Sequence, residues 1–169
     1  MRKRKIFISI ACVIGSIVLL FLGYILYKNY KDKHELDDLT ADNLLELRLR
    51  SSNVDNSDDD IIIEIDFEKR IMIAGTRKEI RGDNSSAREV VLTKEQCQDL
   101  KEYIVEYSHK VKAKENEYWP QSYEYPPMFI KFYYNIKYGN GENYKEYIAN
   151  GALCYPDGWD EFVNTLLEY

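Results

Sequence analysis

Met128-Phe129-Ile130-Lys131-Phe132-Tyr133-Tyr134-Asn135-Ile136-Lys137-Tyr138 is the stretch on which the fold turns. Met128, Ile130, Phe132, Tyr134, Ile136 and Tyr138 fall on one side of an extended chain. Phe129, Lys131, Tyr133, Asn135 and Lys137 fall on the other. This period of two is that of a strand with one buried and one wetter face. Asn140-Gly141 follows and supplies the positive φ angles of a tight turn, so Tyr144 to Ala149 is expected to return antiparallel. Beyond that hairpin, Pro156-Asp157-Gly158 opens a last helix with Trp159, Phe162, Val163, Leu166 and Leu167 on one stripe.

Towards the N-terminus, Thr93-Lys94-Glu95-Gln96 fits a capping box, in which the threonine hydroxyl and Gln96 each satisfy an orphan amide. The helix it starts carries Cys97, Leu100, Ile104 and Tyr107 or Ser108 on one stripe, with Lys, Glu and Asp on the other side. Ala113 to Pro127 reads as irregular, broken by Trp119-Pro120 and Pro126-Pro127. Arg77 to Arg88 reads as a polar loop around Gly82-Asp83-Asn84-Ser85-Ser86. Ile61 to Asp66 and Ile71 to Ala74 read as a hairpin joined by Phe67-Glu68-Lys69-Arg70, with Ile61, Ile63 and Ile65 sharing one face. Leu45, Leu47 and Leu49 alternate with Glu46, Arg48 and Arg50, again a strand with one wet face. No internal repeat is present. The expected fold is α+β: an antiparallel sheet of about five strands with two amphipathic helices packed on one face.

Ahead of this domain, residues 6–27 form 22 consecutive residues without charge. As a helix they measure about 33 Å, enough for a hydrocarbon core of about 30 Å. The run is too long for the apolar stretch of a cleaved signal peptide and lacks a small-x-small site. Cys12 lies too near the start for lipoprotein processing, and Ser9 stands where a lipobox has Leu. The expectation is therefore a transmembrane signal anchor over 6–27. A basic tail, 1–5, lies in the cytoplasm, a polar stalk covers 28–43, and an acidic extracytoplasmic domain covers 44–169. Four basic residues precede the span and three follow it, which favours the N-terminus inside. Tyr24, Tyr27 and Tyr30 suit the outer interface. The reading is thus a single-pass protein of the cell membrane.

Charge narrows the function classes. Seven of the 23 basic residues and one of the 29 acidic residues precede His34. From His34 onward 16 basic residues face 28 acidic ones, a net charge of −12. Such a domain repels nucleic acid, so no nucleic-acid partner is expected. Asp55-Asn56-Ser57-Asp58-Asp59-Asp60 resembles the start of a calcium loop, but Asp60 replaces the loop glycine and Asp66 stands at the twelfth position. A solvated acidic loop is the expected reading, with no metal. Cys97 and Cys154 either bond in an oxidising compartment or remain separate small thiols. His34 and His109 have no legible catalytic partners. No Gly-x-Ser-x-Gly, His-Glu-x-x-His, Walker or dinucleotide pattern is present, so no catalytic residue and no cofactor is expected. Asn84-Ser85-Ser86 matches a glycosylation acceptor, relevant only in a eukaryotic secretory route.

Tyrosine is the unusual component: nine lie between Tyr118 and Tyr155, a span of 38 residues. Tyrosine combines contact area, low entropy cost and a polar tip, and is enriched at recognition surfaces. High β propensity accounts for much of this. The candidate partner-binding residues are Tyr118, Trp119, Tyr123, Tyr125 and Tyr133.

The last third reads as a strand, Asn140-Gly141, Tyr147, Gly151, then Tyr155-Pro156-Asp157-Gly158-Trp159-Asp160-Glu161-Phe162 leading into a helix. Over Met128 to Tyr169 it resembles uncharacterised membrane-anchored or lipoprotein exodomains of Gram-positive bacteria. The resemblance implies a small α+β exodomain whose helix docks through Trp159, and it brings no known active site. The usual preceding Trp of such strands is not obvious, and an anchor helix replaces the lipid. Together these readings suggest a non-enzymatic binding protein, an envelope accessory or immunity-type protein, with a protein partner at the cell surface. The alternatives are a ligand sensor or regulator acting through a membrane partner, or an enzyme.

Overall fold

A computed structural model describes residues 2–52, 57–81, 87–113, 131–140, 142–152 and 154–169. The chain divides into two units, Met1–Asp38 and Leu39–Tyr169.

The first unit holds helix α1, Arg2–Lys33. Among the described residues no helix is long and apolar enough to cross a membrane. This overturns the transmembrane signal anchor over 6–27 and the single-pass placement built on it. Ser16, Lys28 and Asn29 lower the apolar character of the described side chains of α1. After α1, His34 pairs with Asp37 one turn on.

The second unit is α+β around one six-stranded antiparallel sheet, where about five strands were expected. The strands are β1 Leu44–Ser51, β2 Ile61–Asp66, β3 Ile71–Thr76, β4 Arg88–Val91, β5 Phe132–Asn140 and β6 Asn143–Gly151. Their spatial order is β4-β3-β2-β1-β5-β6. The sheet is thus two antiparallel runs joined where β1 pairs with both β2 and β5. Residues 77–88, expected as a loop, instead contain the short helix α2, Arg77–Arg81, and the first residue of β4. The Thr76 amide donates to Glu79 Oε2 at 2.7 Å and the Glu79 amide to Thr76 Oγ1 at 3.3 Å, a capping box that starts α2.

In β1, a register shift between Leu44 and Glu46 makes Leu45 the extra residue of a bulge. The alternation of Leu45, Leu47 and Leu49 therefore breaks at its first member: Leu44, Leu47 and Leu49 are buried and Leu45 is half-buried. On β5, Phe132, Tyr134, Ile136 and Tyr138 are all buried. The turn to β6 uses Gly139, at φ +146°, where a Cβ would lie 2.3 Å from the Asn143 carbonyl oxygen. Gly141 lies outside the described residues.

Helices α3, Lys94–Ala113, and α4, Trp159–Leu167, cover one face of the sheet. Thr93 and Gln96 form the expected capping box of α3. Gly158, at φ +71°, is the N-cap of α4 and presents its carbonyl to the Phe162 amide at 2.9 Å. The core between helices and sheet is aromatic. Tyr107 stacks on Phe162 at 3.9 Å, and Trp159 sits 5.1 Å from Phe132. Buried rings need their polar tips satisfied. Trp159 Nε1 donates to Ser51 Oγ at 3.1 Å, and the Tyr107 hydroxyl donates to the Asp157 carbonyl at 3.2 Å. Ser108 Oγ lies 2.7 Å from both the Ile104 carbonyl oxygen and the Tyr134 hydroxyl.

Asp60 departs most from expectation. The sequence places it in a solvated acidic loop, yet it is fully buried. Arg50 reaches its carboxylate at 2.6 Å and Arg77 at 3.0 Å, and the Arg77 amide donates to its carbonyl at 2.8 Å. One carboxylate thus ties the central strand to the start of α2.

Asp60→Ala leaves two partly buried guanidinium groups unpaired, so we expect it to cost about 3 kcal/mol in urea unfolding. Asp66→Ala, at an open ion pair, should cost under about 1 kcal/mol. Burial raises the Tyr134 phenol well above its usual range, against the smaller opposing effect of the Ser108 hydrogen bond. A raised phenol pKa stabilises the fold below the ordinary value of 10 and loses that contribution as pH rises. Spectrophotometric titration should therefore show at least one tyrosine fewer ionising near pH 10 in the folded than in the unfolded protein, and Tyr134→Phe should reduce that difference by one.

Candidate functional site: the uncovered face of the sheet

Pleating sends alternate residues to opposite faces, so strand register fixes what lies opposite the helices. Three transverse rows make up the uncovered face. One is Glu89–Ile73–Glu64–Arg48–Asn135–Ile148, read from β4 to β6. Beside it runs Val91–Ile71–Asp66–Glu46–Lys137–Glu146. The third is Gly75–Ile62–Arg50–Tyr133–Asn150.

An antiparallel sheet with one wet face normally alternates apolar and polar residues. Strand β3 does not. It turns Met72 and Ala74 to the core and Ile71 and Ile73 to the open face. Ile62 of β2 lies on the same side, and Val91 of β4 is 71% exposed. Apolar residues on both sides are the pattern of a strand covered on both sides.

A cleft of about 360 Å³ lies at this end of the face. Glu46, Glu64, Asp66 and Glu89 line it, with Arg48, Lys69, Ile71 and Ile73. Some of the charge is internally matched. Lys69 Nζ donates to Asp66 at 2.6 Å, Arg48 reaches Glu46 at 3.0 Å, and Lys137 reaches the other Glu46 oxygen at 3.1 Å. Burial raises the Asp66 pKa, but the side-chain and backbone hydrogen bonds from Lys69 and its charge outweigh that, so the carboxyl titrates below its usual range. The Lys137 ammonium is held above its usual range, chiefly by the hydrogen bond to Glu46. Glu64 and Glu89 have neither an ion pair nor a hydrogen bond to any described residue.

The expected site residues distribute unevenly. Tyr118, Trp119, Tyr123 and Tyr125 lie outside the described residues. Tyr133 is on the uncovered face, half-buried, and accepts a hydrogen bond from Asn135 Nδ2 at 3.0 Å. It stands away from the cleft, across Arg50. Cys97 is buried and Cys154 exposed, and the two are not joined in a disulfide. Among the described residues, no three His, Cys, Asp or Glu side chains converge as a metal centre. Sequence reasoning missed Ile71, Ile73, Glu64 and Glu89 as a group. The unbroken run Ile71-Met72-Ile73-Ala74 was the available signal, since a strand with one wet face alternates.

No family model matches the sequence, and no curated protein is significantly similar to it.

Because the Asp66 pKa is depressed, its pairing stabilises the fold above the ordinary carboxyl range and is lost as pH falls through the folded value. Lys69→Met should move the Asp66 titration upward, read from its carboxyl ¹³C shift.

Proposed function

We propose that the domain is a non-enzymatic protein-binding module whose recognition surface is the uncovered face at β2, β3 and β4. The observation that carries this reading is the outward pair Ile71 and Ile73, flanked by Ile62 and Val91 on the face opposite α3 and α4. Ile62, Ile71 and Ile73 are half-buried and Val91 is exposed, so covering them would add only part of the roughly 1.5–3 kcal/mol each that full burial gives. Exposed apolar patches rimmed by charge are the usual mark of a docking surface. The cleft is open and lined largely by charged side chains, which suits contact with another macromolecule better than enclosure of a small substrate. Acidic net charge speeds encounter with a basic partner.

A photocrosslinker at Val91, in the full-length chain expressed in its native cells, tests this reading. It should capture one protein that a crosslinker at Glu102, on α3, does not. The isolated partner should lose binding by at least about ten-fold to Ile73→Asp. Crosslinks confined to the chain itself, or equal capture from both positions, would overturn it.

A further inference from the structure

We infer that the cleft takes an arginine side chain of the partner protein, seated over Ile73 between Glu64 and Glu89. This rests on the reading of the face as a protein-binding surface and adds the chemistry of what docks there.

The row Glu89–Ile73–Glu64 places one carboxylate on each side of an apolar residue. The two glutamates are separated by one intervening strand, so their backbones lie about 10 Å apart, two strand spacings. Carboxylates on either side of Ile73 suit a flat cation with donors on both edges. A guanidinium has five donors in a fixed fork, is more weakly hydrated than an ammonium, and lies readily against apolar surface. Its methylene stem would cover Ile71 and Ile73, as long cationic side chains commonly do.

Charge matching within the cleft points the same way. Asp66 is engaged by Lys69, and Glu46 by Arg48 and Lys137. Arg48 stands opposite Glu64 in the register, but its guanidinium turns to Glu46. Two carboxylates at the apolar end are therefore left without a cation among the described residues, on either side of Ile73. One arginine supplies the missing charge and the missing apolar cover together. A lysine supplies a compact, strongly hydrated charge that reaches one carboxylate at a time.

The test is an NMR titration of the full-length chain with acetylated, amidated hexapeptides Ser-Val-Xaa-Val-Ser-Gly, where Xaa is Arg, Lys or the neutral isostere citrulline. The Arg peptide should shift amides of β2, β3 and β4, and bind at least about five-fold more tightly than the Lys peptide. The citrulline peptide should be about ten-fold weaker than the Arg peptide. Glu64→Gln with Glu89→Gln should weaken the Arg peptide by about ten-fold or more. Glu102→Gln with Glu161→Gln removes the same charge from exposed helical positions and should change it by less than about two-fold. Equal losses in the two double variants would reduce the effect to general attraction and overturn the assignment. So would equal binding of Arg and Lys peptides, or displacement of the Arg peptide by spermine at equal affinity. A homodimer in sedimentation that Ile73→Asp dissociates would make the face a contact between copies and also overturn it. If the partner captured from Val91 binds the Glu64→Gln, Glu89→Gln variant unchanged, the arginine assignment falls while the binding face stands. If no partner is captured, the binding face itself falls.

Discussion

The aromatic cluster between helices and sheet is the constraint on which the rest depends. Tyr107, Phe162, Trp159, Phe132 and Tyr134 meet in one packed group, and they come from α3, α4 and β5. Each helix contributes its apolar stripe to the same patch, so both must lie on the same face. Large rings in fixed rotamers tolerate little sliding, and their polar tips add direction. Trp159 is tied to Ser51 of β1, and Tyr134 to Ser108 of α3. The cluster thereby decides which side of the sheet is closed and which is open.

The central strand passes that decision to the far end of the sheet. β1 pairs with β5 on one side and β2 on the other, so its phase is shared by both runs of the sheet. A slip of one residue would exchange the two faces throughout. The bulge at Leu45 and the Asp60 carboxylate both fix that phase. The bulge lets Leu44 join the core, and Asp60 holds Arg50, an outward residue of β1, to the beginning of α2. A buried charge with two cations is a poor source of stability compared with apolar packing, but breaking it is costly, so it penalises misregistered alternatives.

Legibility of the sequence follows the strength of local patterns. The period of two in β5 and the stripe of Trp159, Phe162, Val163 and Leu166 could be read because tertiary burial agrees with them. The four-residue β4 was missed because Arg88-Glu89-Val90-Val91 is too short and half charged. The capping box of Thr76 and Glu79 was present in the sequence and marks α2, yet the surrounding polar residues hid it. Burial of Asp60 had no local signal, since its partners lie 10 and 17 residues away and charge alone does not reveal pairing. The length of an uncharged run suggested a membrane span, but among the described residues no helix is long and apolar enough to cross a membrane. The juxtaposition of Glu64, Ile73 and Glu89 depends on the register of three strands and could not be read from any one of them.

The uncovered face is itself unequal, and this is what singles out one end. At the β5 and β6 end, Ile148 and Glu146 aside, the outward groups answer one another. Lys137 holds Glu46 and lies 4.3 Å from the centre of the Tyr144 ring, while Asn135 donates to Tyr133. Such groups can remain in water at little cost, because their polar atoms are satisfied with or without a partner. At the β2, β3 and β4 end the situation is reversed. Isoleucines gain nothing from water, and Glu64 and Glu89 meet no cation among the described residues. Folding alone leaves apolar surface and negative charge side by side there. A ligand that is apolar along its length and cationic at its tip relieves both at once, whereas a purely apolar or purely ionic ligand relieves only one and must desolvate the other at a cost.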